Sequence, residues 1–316
     1  MPANLTPDYH RAEEHFRSAK TNEEKVLALE EMLRVVPKHK GTDGLQADLK
    51  ARLAKLRKQP MSKAARASFS HVVEKEGAGQ VALLGPPNSG KSSLVAALTH
   101  ATPEIAEYPF TTREPVPGMM PFEDVRIQLV DLPPLNDDHV EPWVWDIARR
   151  ADAVWLVVNV EDGLDGFLHS RERLDEKAIR TTPPGGGGKP ALVVATGLDR
   201  GDGPDDLEIL RELMDPAWPL YGVSTVTRAG LDVLAKRTFE ALDVIRVYTK
   251  QPGKPADKAS PFTLPRGATV ADLATRIHND LAAAMHFARV WGPSVFDGQT
   301  VHGEHVLLEG DVVEIH

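Results

Sequence analysis

The sequence has no cysteine. That excludes disulfides and thiolate metal sites, and it fits a reducing compartment. It has no apolar run approaching the ~18–20 residues that a membrane helix needs. Its first residues, MPANLTPDYHRAEEHF, are too polar for a signal peptide. These absences make a cytoplasmic protein, with no membrane contact, the expectation. Positive charge is also short: 37 Lys and Arg stand against 46 Asp and Glu, a net charge of −9. The molecule as a whole is therefore not built to coat nucleic acid, and any such contact must come from a local patch. No tandem repeat is visible.

What is present points to two or three domains in 316 residues, with 41% apolar residues to build their cores. Residues 1–66 read as a helical region. DYHRAEEHFRSA and NEEKVLALEEMLRVV carry apolar residues at helical spacing. PKHKGTDG interrupts them, and Leu45, Leu49, Leu53 and Leu56 then resume one stripe, as in a helical hairpin. From Gln80 the rhythm becomes strand–helix alternation. VALL, VRIQLV, AVWLVVNV and ALVVAT are short β-rich runs, with SSLVAALT, EPWVWDIARR and LDVLAKRTFEALDVI as helices. This pattern implies a parallel sheet covered on both faces, an α/β domain over 67–250. TTPPGGGGKP (181–190) reads as a flexible loop, and TKQPGKPADKASP (249–261) as a linker. Residues 251–316 then form a small α+β module: a strand, a helix N-capped by Thr269 with Asp272 three residues on, and short β segments in FARVWG, HVLLEG and DVVEIH.

The strongest local signal is VALLGPPNSGKSSLVAAL. Gly85, Gly90, Lys91 and Ser92 satisfy G-x-x-x-x-G-K-[ST] between a strand and a helix. The loop Gly85, Pro86, Pro87, Asn88, Ser89, Gly90, Lys91, Ser92, Ser93 presents backbone N–H groups and a helix N-terminus to phosphate oxygens. Lys91 reaches the β- and γ-phosphates and Ser92 ligates Mg²⁺. The alternative, an ordinary glycine-rich turn, does not explain both flanks.

GPPNSGKSSL, YPFTTREPVPG and IQLVDLPPL together resemble the Obg-related GTPases, and within them the developmentally regulated GTP-binding proteins. The tail, RVYTKQPGKPADKASPFTLPRGATVADLATRIH with ARVWGPSVFDGQTV and LLEGDVVEIH, is similar to that branch's C-terminal TGS domain. PKHKGTDGLQADLKARLAKLRKQ resembles its N-terminal helical region. The resemblance implies a Ras-like P-loop G domain, an N-terminal helical region and a ubiquitin-like β-grasp domain. It implies GTP or GDP with Mg²⁺ as ligands, slow hydrolysis, and RNA or a ribosome-linked partner. By the same resemblance Thr112 in YPFTT matches the switch threonine that ligates Mg²⁺ beside a γ-phosphate, and Asp131 the aspartate that orients the metal. Asn88 matches an asparagine that, in potassium-dependent members of the wider class, helps hold K⁺ beside the phosphates; a loop-forming asparagine without a metal role is the other reading.

Three departures from the family pattern stand out. D-x-P-G is here DLPP, and Pro134 has no N–H to offer a γ-phosphate. A lost charge-assisted hydrogen bond is worth about 1.5–3 kcal/mol. That blunts discrimination between di- and triphosphate without abolishing binding. Next, Leu135 stands where Ras-like enzymes keep a water-orienting glutamine; the resemblance implies that an apolar residue is common there in Obg-like proteins, so Leu135 fits that class while slow turnover is expected. Finally, the guanine motif N-K-x-D appears as TGLD, Thr196 to Asp199. Asp199 can still accept from the guanine edge, or can be a turn aspartate. Thr196 replaces only part of an asparagine, and Gly197 lacks the lysine stem. Ser224, in VST (223–225), fits the last base-contacting loop weakly.

Other clusters have blander readings beside the sharp ones. Residues 50–66 hold seven Lys or Arg and no acid, either a solvated helix face or a contact for RNA phosphates. HGEH (302–305) reads as a surface turn before a metal site, and NDDH (136–139) as the mobile part of a second switch. Arg113 reads as surface charge before a catalytic arginine. The rival to a GTPase is a non-catalytic partner-binding protein that holds nucleotide structurally.

Overall fold

The computed structural model describes residues 29, 32–33, 36, 49–50, 52, 73–99, 115–136, 140–161 and 163–316. The chain divides into two compact units, Met1–His71 and Val72–His316. In the first, Leu29, Met32, Leu33, Leu49, Lys50 and Arg52 are helical, and Leu29, Met32, Val36 and Leu49 are buried. The rest of the expected helical hairpin, and most of the basic segment 50–66, lie outside the described residues.

The second unit opens on a seven-stranded sheet. Its strands are β1 (Gln80–Leu84), β2 (Val116–Phe122), β3 (Val125–Asp131), β4 (Ala153–Asn159), β5 (Thr181–Thr182), β6 (Lys189–Thr196) and β7 (Leu220–Val223). The order is β2-β3-β1-β4-β6-β5, with β7 also on β6. β1 is buried at every residue, and so are the first six of β4. Each strand carries side chains into two cores, one on each face of the sheet. That is why these runs are continuously apolar rather than alternating. Helices Lys91–Thr99 and Leu231–Ala241 cover one face; Pro142–Arg150, Gly163–Glu176 and Gly203–Leu213 cover the other. Trp155 is fully buried and its indole N–H donates to Thr238 Oγ1 at 3.1 Å, tying the last helix to the sheet centre.

The sheet departs from the all-parallel expectation at β2, which runs antiparallel to β3 from Val116↔Asp131 to Phe122↔Val125. Its two prolines, Pro117 and Pro121, suit an edge strand, where a missing N–H costs no ladder bond. The two-residue turn places Glu123 at φ +50°. The expected loop 181–190 contributes a two-residue strand, Thr181–Thr182, paired with Lys189–Pro190.

A second sheet follows, with β8 (Val244–Lys250), β9 (Ala256–Pro265), β10 (Ala288–Trp291), β11 (Gln299–Val301) and β12 (Val312–Ile315) in the order β11-β10-β12-β8-β9. The segment 249–261, expected as a linker, is instead the turn and flanks of the β8–β9 hairpin, and the expected boundary after residue 250 falls inside it. Pro252, Lys254 and Pro255 are exposed in the turn and Lys258 is exposed on β9, while Lys250 and Pro261 are half-buried. Helix Val270–Ile277 packs on this sheet through Val270, Leu273 and Ala274. Thr269 and Asp272 cap it reciprocally, as expected: Asp272 N–H donates to Thr269 Oγ1, and Thr269 N–H to Asp272 Oδ2. HVLLEG forms only an isolated bridge, Thr269↔Val306, because the chain there turns across the helix start. The HGEH turn lies at the same place, with Val270 and Ala271 N–H donating to the His305 and Gly303 carbonyls.

The two sheets meet at the β2–β3 turn. Arg246 on β8 is paired with Glu123, with Asp124 Oδ1 at 2.8 Å and with Glu309 Oε1 at 2.6 Å. Tyr248 OH donates to Asp124 Oδ2 at 2.6 Å. The guanidinium also lies 5.2 Å from the Phe239 ring, which stacks on Phe122.

Candidate functional site

Register brings the functional segments to one edge. Leu83 pairs with Asp131, Leu84 with Leu156, Asn159 with Thr196, and Thr196 with Val223. The carboxyl ends of five strands thus converge, which is where open α/β sheets bind ligands. The loop from Gly85 to Gly90 leaves β1 there and enters the helix at Lys91. A Cβ at Gly85 would stand 2.0 Å from the Val157 carbonyl oxygen, so only glycine fits against β4. Gly90 has φ +87° and Asn88 φ +58°, the left-handed turns that curl the loop. Pro87, Asn88, Ser92 and Ser93 are exposed at its mouth, Pro86 is half-buried, and Ser89 is buried beneath.

Lys91 is buried and its ammonium donates to the Gly85 and Pro86 carbonyls at 3.0 and 2.9 Å and to Ser89 Oγ at 3.2 Å. Burial lowers its pKa to about 8, against the opposing pull of Asp131. Asp131 closes β3 with Oδ2 accepting from Ser92 Oγ at 2.5 Å. Its Oδ1 is buried and has no partner among the described residues. Burial raises the Asp131 pKa, and the bond from Ser92 and the charge of Lys91 only partly offset it. A desolvated carboxylate oxygen without a donor, beside a serine hydroxyl and a phosphate-type loop, fits a hard divalent cation. Mg²⁺ would meet Asp131 and Ser92 here.

The chain after Asp131 does not swing clear. Leu132 and Leu135 are each 1% exposed and pack in the core that contains Leu84, Val130 and Phe167. Leu135 N–H donates to the Gly85 carbonyl at 3.0 Å. Pro134, between them, is half-buried. The DLPPL segment is thus tied to the phosphate-type loop itself, and the Leu135 side chain is buried in the core.

At the other end of the site Thr196 is buried, and its hydroxyl donates to the Ser89 carbonyl at 2.7 Å. Gly197 follows at φ +88°, and Asp199 is exposed. Ser224 is fully buried. Its Oγ accepts from Val226 and Thr227 N–H, and its own N–H donates to the Ala229 carbonyl. The hydroxyl therefore shapes its loop instead of facing a ligand.

Comparison with known proteins agrees with this geometry. Residues 80–196 match the family model described as 50S ribosome-binding GTPase, and residues 245–316 match the TGS domain. Residues 80–196 are thus a GTPase-type domain and residues 245–316 a TGS domain. The chain's relatives are GTP-binding proteins along nearly their whole length. One from Methanocaldococcus jannaschii, itself uncharacterized, is 29% identical over 93% of this chain and 92% of its own. Developmentally-regulated GTP-binding protein 2 of Homo sapiens is 27% identical over 92% of this chain and 98% of its own. Among solved structures, a variant of S. thermophilus NFeoB bound to GDP·AlF4⁻ is 23% identical, covering 52% of this chain and 63% of that one at a TM-score of 0.40.

Within the G domain, Thr112, its YPFTT neighbours and Arg113 lie outside the described residues, as do residues 137–139. Lys91, Ser92 and Asp131 come together; Thr196 and Asp199 lie at the same edge, with Thr196 spent on the loop backbone. Two features escaped motif reading. The anchoring of Leu135 had no sequence mark beyond an apolar residue in a polar loop. Asn159 was legible only as the polar end of an apolar strand, and the TGS match beginning at residue 245 includes nearly all of β8. Among the described residues no helix is long and apolar enough to cross a membrane.

Proposed function

We propose that this GTP-binding protein hydrolyses GTP slowly in a Mg²⁺-dependent reaction. The observation that supports this best is the buried, unpartnered Asp131 Oδ1 next to Ser92 and Lys91. In this reading the Gly85–Ser93 loop holds the phosphates, and Lys91 leaves its carbonyl partners to meet the β- and γ-oxygens. Ser92, Asp131 and Thr112 hold Mg²⁺, which supplies charge to the transferring phosphoryl group. Asn88, exposed at the loop mouth, holds K⁺ as a further charge. Asp199 accepts from the guanine edge, and Thr196 and the Ser224 loop shape the base pocket. RNA or a ribosome-linked partner is met through segment 50–66 and the TGS domain, in the cytoplasm. The description of the matching GTPase family and the TGS match favour that partner class.

The buried Leu135 favours a second reading, a non-catalytic protein that holds nucleotide structurally, because this position offers no polar group to a water. Calorimetry with GDP, GTP and ATP tests the first part; preference for ATP, or no binding of any, would refute guanine specificity. Single-turnover hydrolysis with and without KCl, Mg²⁺ and ribosomes tests the second. Turnover under any of these conditions supports the GTPase, and none under all of them leaves the structural role.

A further inference from the structure

We infer that the groove between the two sheets, beside the β2–β3 hairpin, binds a small phosphorylated molecule with an apolar body. It stands apart from the nucleotide edge: Arg126, which lines it, is the second residue of β3, and Asp131 is the last. The groove measures about 560 Å³, within the range of small-ligand sites. Its described walls are the segment before β1, the base of the hairpin, β9 and the last turn of helix Val270–Ile277. Two arginines, Arg126 and Arg276, line it from opposite domains. Both are exposed, and neither side chain has a hydrogen bond, ion pair or ring contact among the described residues. Of the two acids on the same walls, Asp124 is already bonded to Arg246 at 2.8 Å and Tyr248 at 2.6 Å. Glu76 alone remains to oppose two free guanidiniums.

A guanidinium offers a planar fork of donors and no acceptor, which suits the oxygens of a phosphate. The Ser260 hydroxyl, exposed on β9, adds a further donor to the same wall. Met119 and Phe262 are half-buried in the groove and give an apolar body something to cover. Two larger occupants fit less well. β9 is an edge strand, but its pairing slips between Val247 and Thr249 of β8, and Pro261 has no N–H to offer. A bulge and a proline are what keep an edge from accepting another strand, so a peptide would not pair along this stretch. A nucleic-acid strand would run beyond the two arginines onto exposed acids of the same segments, Glu74, Glu123 and Asp257, and like charge repels it. A compact anion meets the arginines without reaching those acids. Held by both, it would link the start of β3 to the helix of the second sheet.

The probe is phenyl phosphate, with inorganic phosphate and phenol as its two halves. It is titrated by calorimetry into the full chain with GDP and Mg²⁺ in excess, so that the phosphate loop is taken. Millimolar binding is expected, tighter than that of either half. Arg126→Gln and Arg276→Gln are each expected to weaken it by about tenfold or more, while Lys254→Gln, in the β8–β9 turn outside the groove, leaves it within about twofold. Both arginine changes are at exposed positions, and a thermal melt checks their folding. Phenyl phosphate should also protect Arg126 and Arg276 from phenylglyoxal, and leave the exposed Arg289 open to it, as read by mass spectrometry of the peptides. No millimolar binding, equal binding by the wild type and both arginine variants, or protection of neither arginine would each overturn the inference. A uridine oligomer or a glutamate oligomer that binds more tightly than phenyl phosphate, with the same losses in the two variants, would give the groove to a strand and overturn it as well.

Discussion

Lys91 is buried under the phosphate-type loop, with its ammonium on the Gly85 and Pro86 carbonyls. Burial has lowered its pKa to about 8. The ammonium is therefore present below that pH and lost above it, while a bound phosphate holds the proton on. GDP affinity is expected to fall by about tenfold between pH 7 and pH 9, and the fall should vanish in Lys91→Ala, whose weak binding has no such titration. A flat profile in the wild type would show that the lysine is not met by phosphate. Pro134 acts by what it lacks. Pro134→Gly restores a backbone N–H beside Asp131, and the ratio of triphosphate-analogue to GDP affinity should rise by about tenfold or more. An unchanged ratio would remove Pro134 from γ-phosphate sensing. Thr196 shows how far residue type was legible. Its place in the motif order followed from strand register, yet the destination of its hydroxyl depended on Ser89, 107 positions away, which no local pattern encodes.

At the scale of elements, the DLPPL segment is held by two leucines and one backbone bond. Leu135→Ala is expected to cost about 2–5 kcal/mol, read as a lower urea midpoint with an unchanged slope. It should also raise hydrogen exchange at Leu132 and Gly85 above that of β4. No loss of stability would mean that the segment packs loosely. The buried strands were plain in the sequence because burial on both faces writes a continuous apolar run, as in QVALL and AVWLVV. β2 was not, because VPGMMPF pairs on one side only and tolerates two prolines. The 249–261 stretch reads as a linker for a related reason. Its prolines and lysines belong to a turn and an exposed edge strand, and the composition of an edge strand is that of a linker. The apolar residues that anchor the hairpin, Ile245, Val247 and Leu264, lie at its two ends. The phosphate-type loop was legible in full, since its glycines answer to backbone geometry that local sequence carries.

For the whole molecule, the decisive contact is Arg246 between Glu123, Asp124 and Glu309. Burial works against its charge, but the bonds it donates to these carboxylates outweigh it and hold the guanidinium pKa above its ordinary value. The same contacts draw the Asp124 carboxyl below its usual range: burial opposes this, and the bonds from Tyr248 and Arg246 prevail. Arg246→Met keeps much of the stem over Phe239 and removes the charge. It is expected to cost about 1.5–3 kcal/mol and to split thermal unfolding by calorimetry into two transitions, one for each sheet. A single transition at the wild-type temperature would show that the sheets unfold together for other reasons. The geometry of this grip has a mechanical side. The hairpin is held at its tip by the TGS sheet and ends, at its other extreme, on Asp131. Seven residues of strand make an arm of roughly 20 Å. On such an arm a tilt of about 5° carries the tip by roughly 1.7 Å, more than the ~0.5 Å range over which a hydrogen bond keeps its length. The hairpin has the geometry of a lever, with its short movement at Asp131 and its long movement at the second sheet.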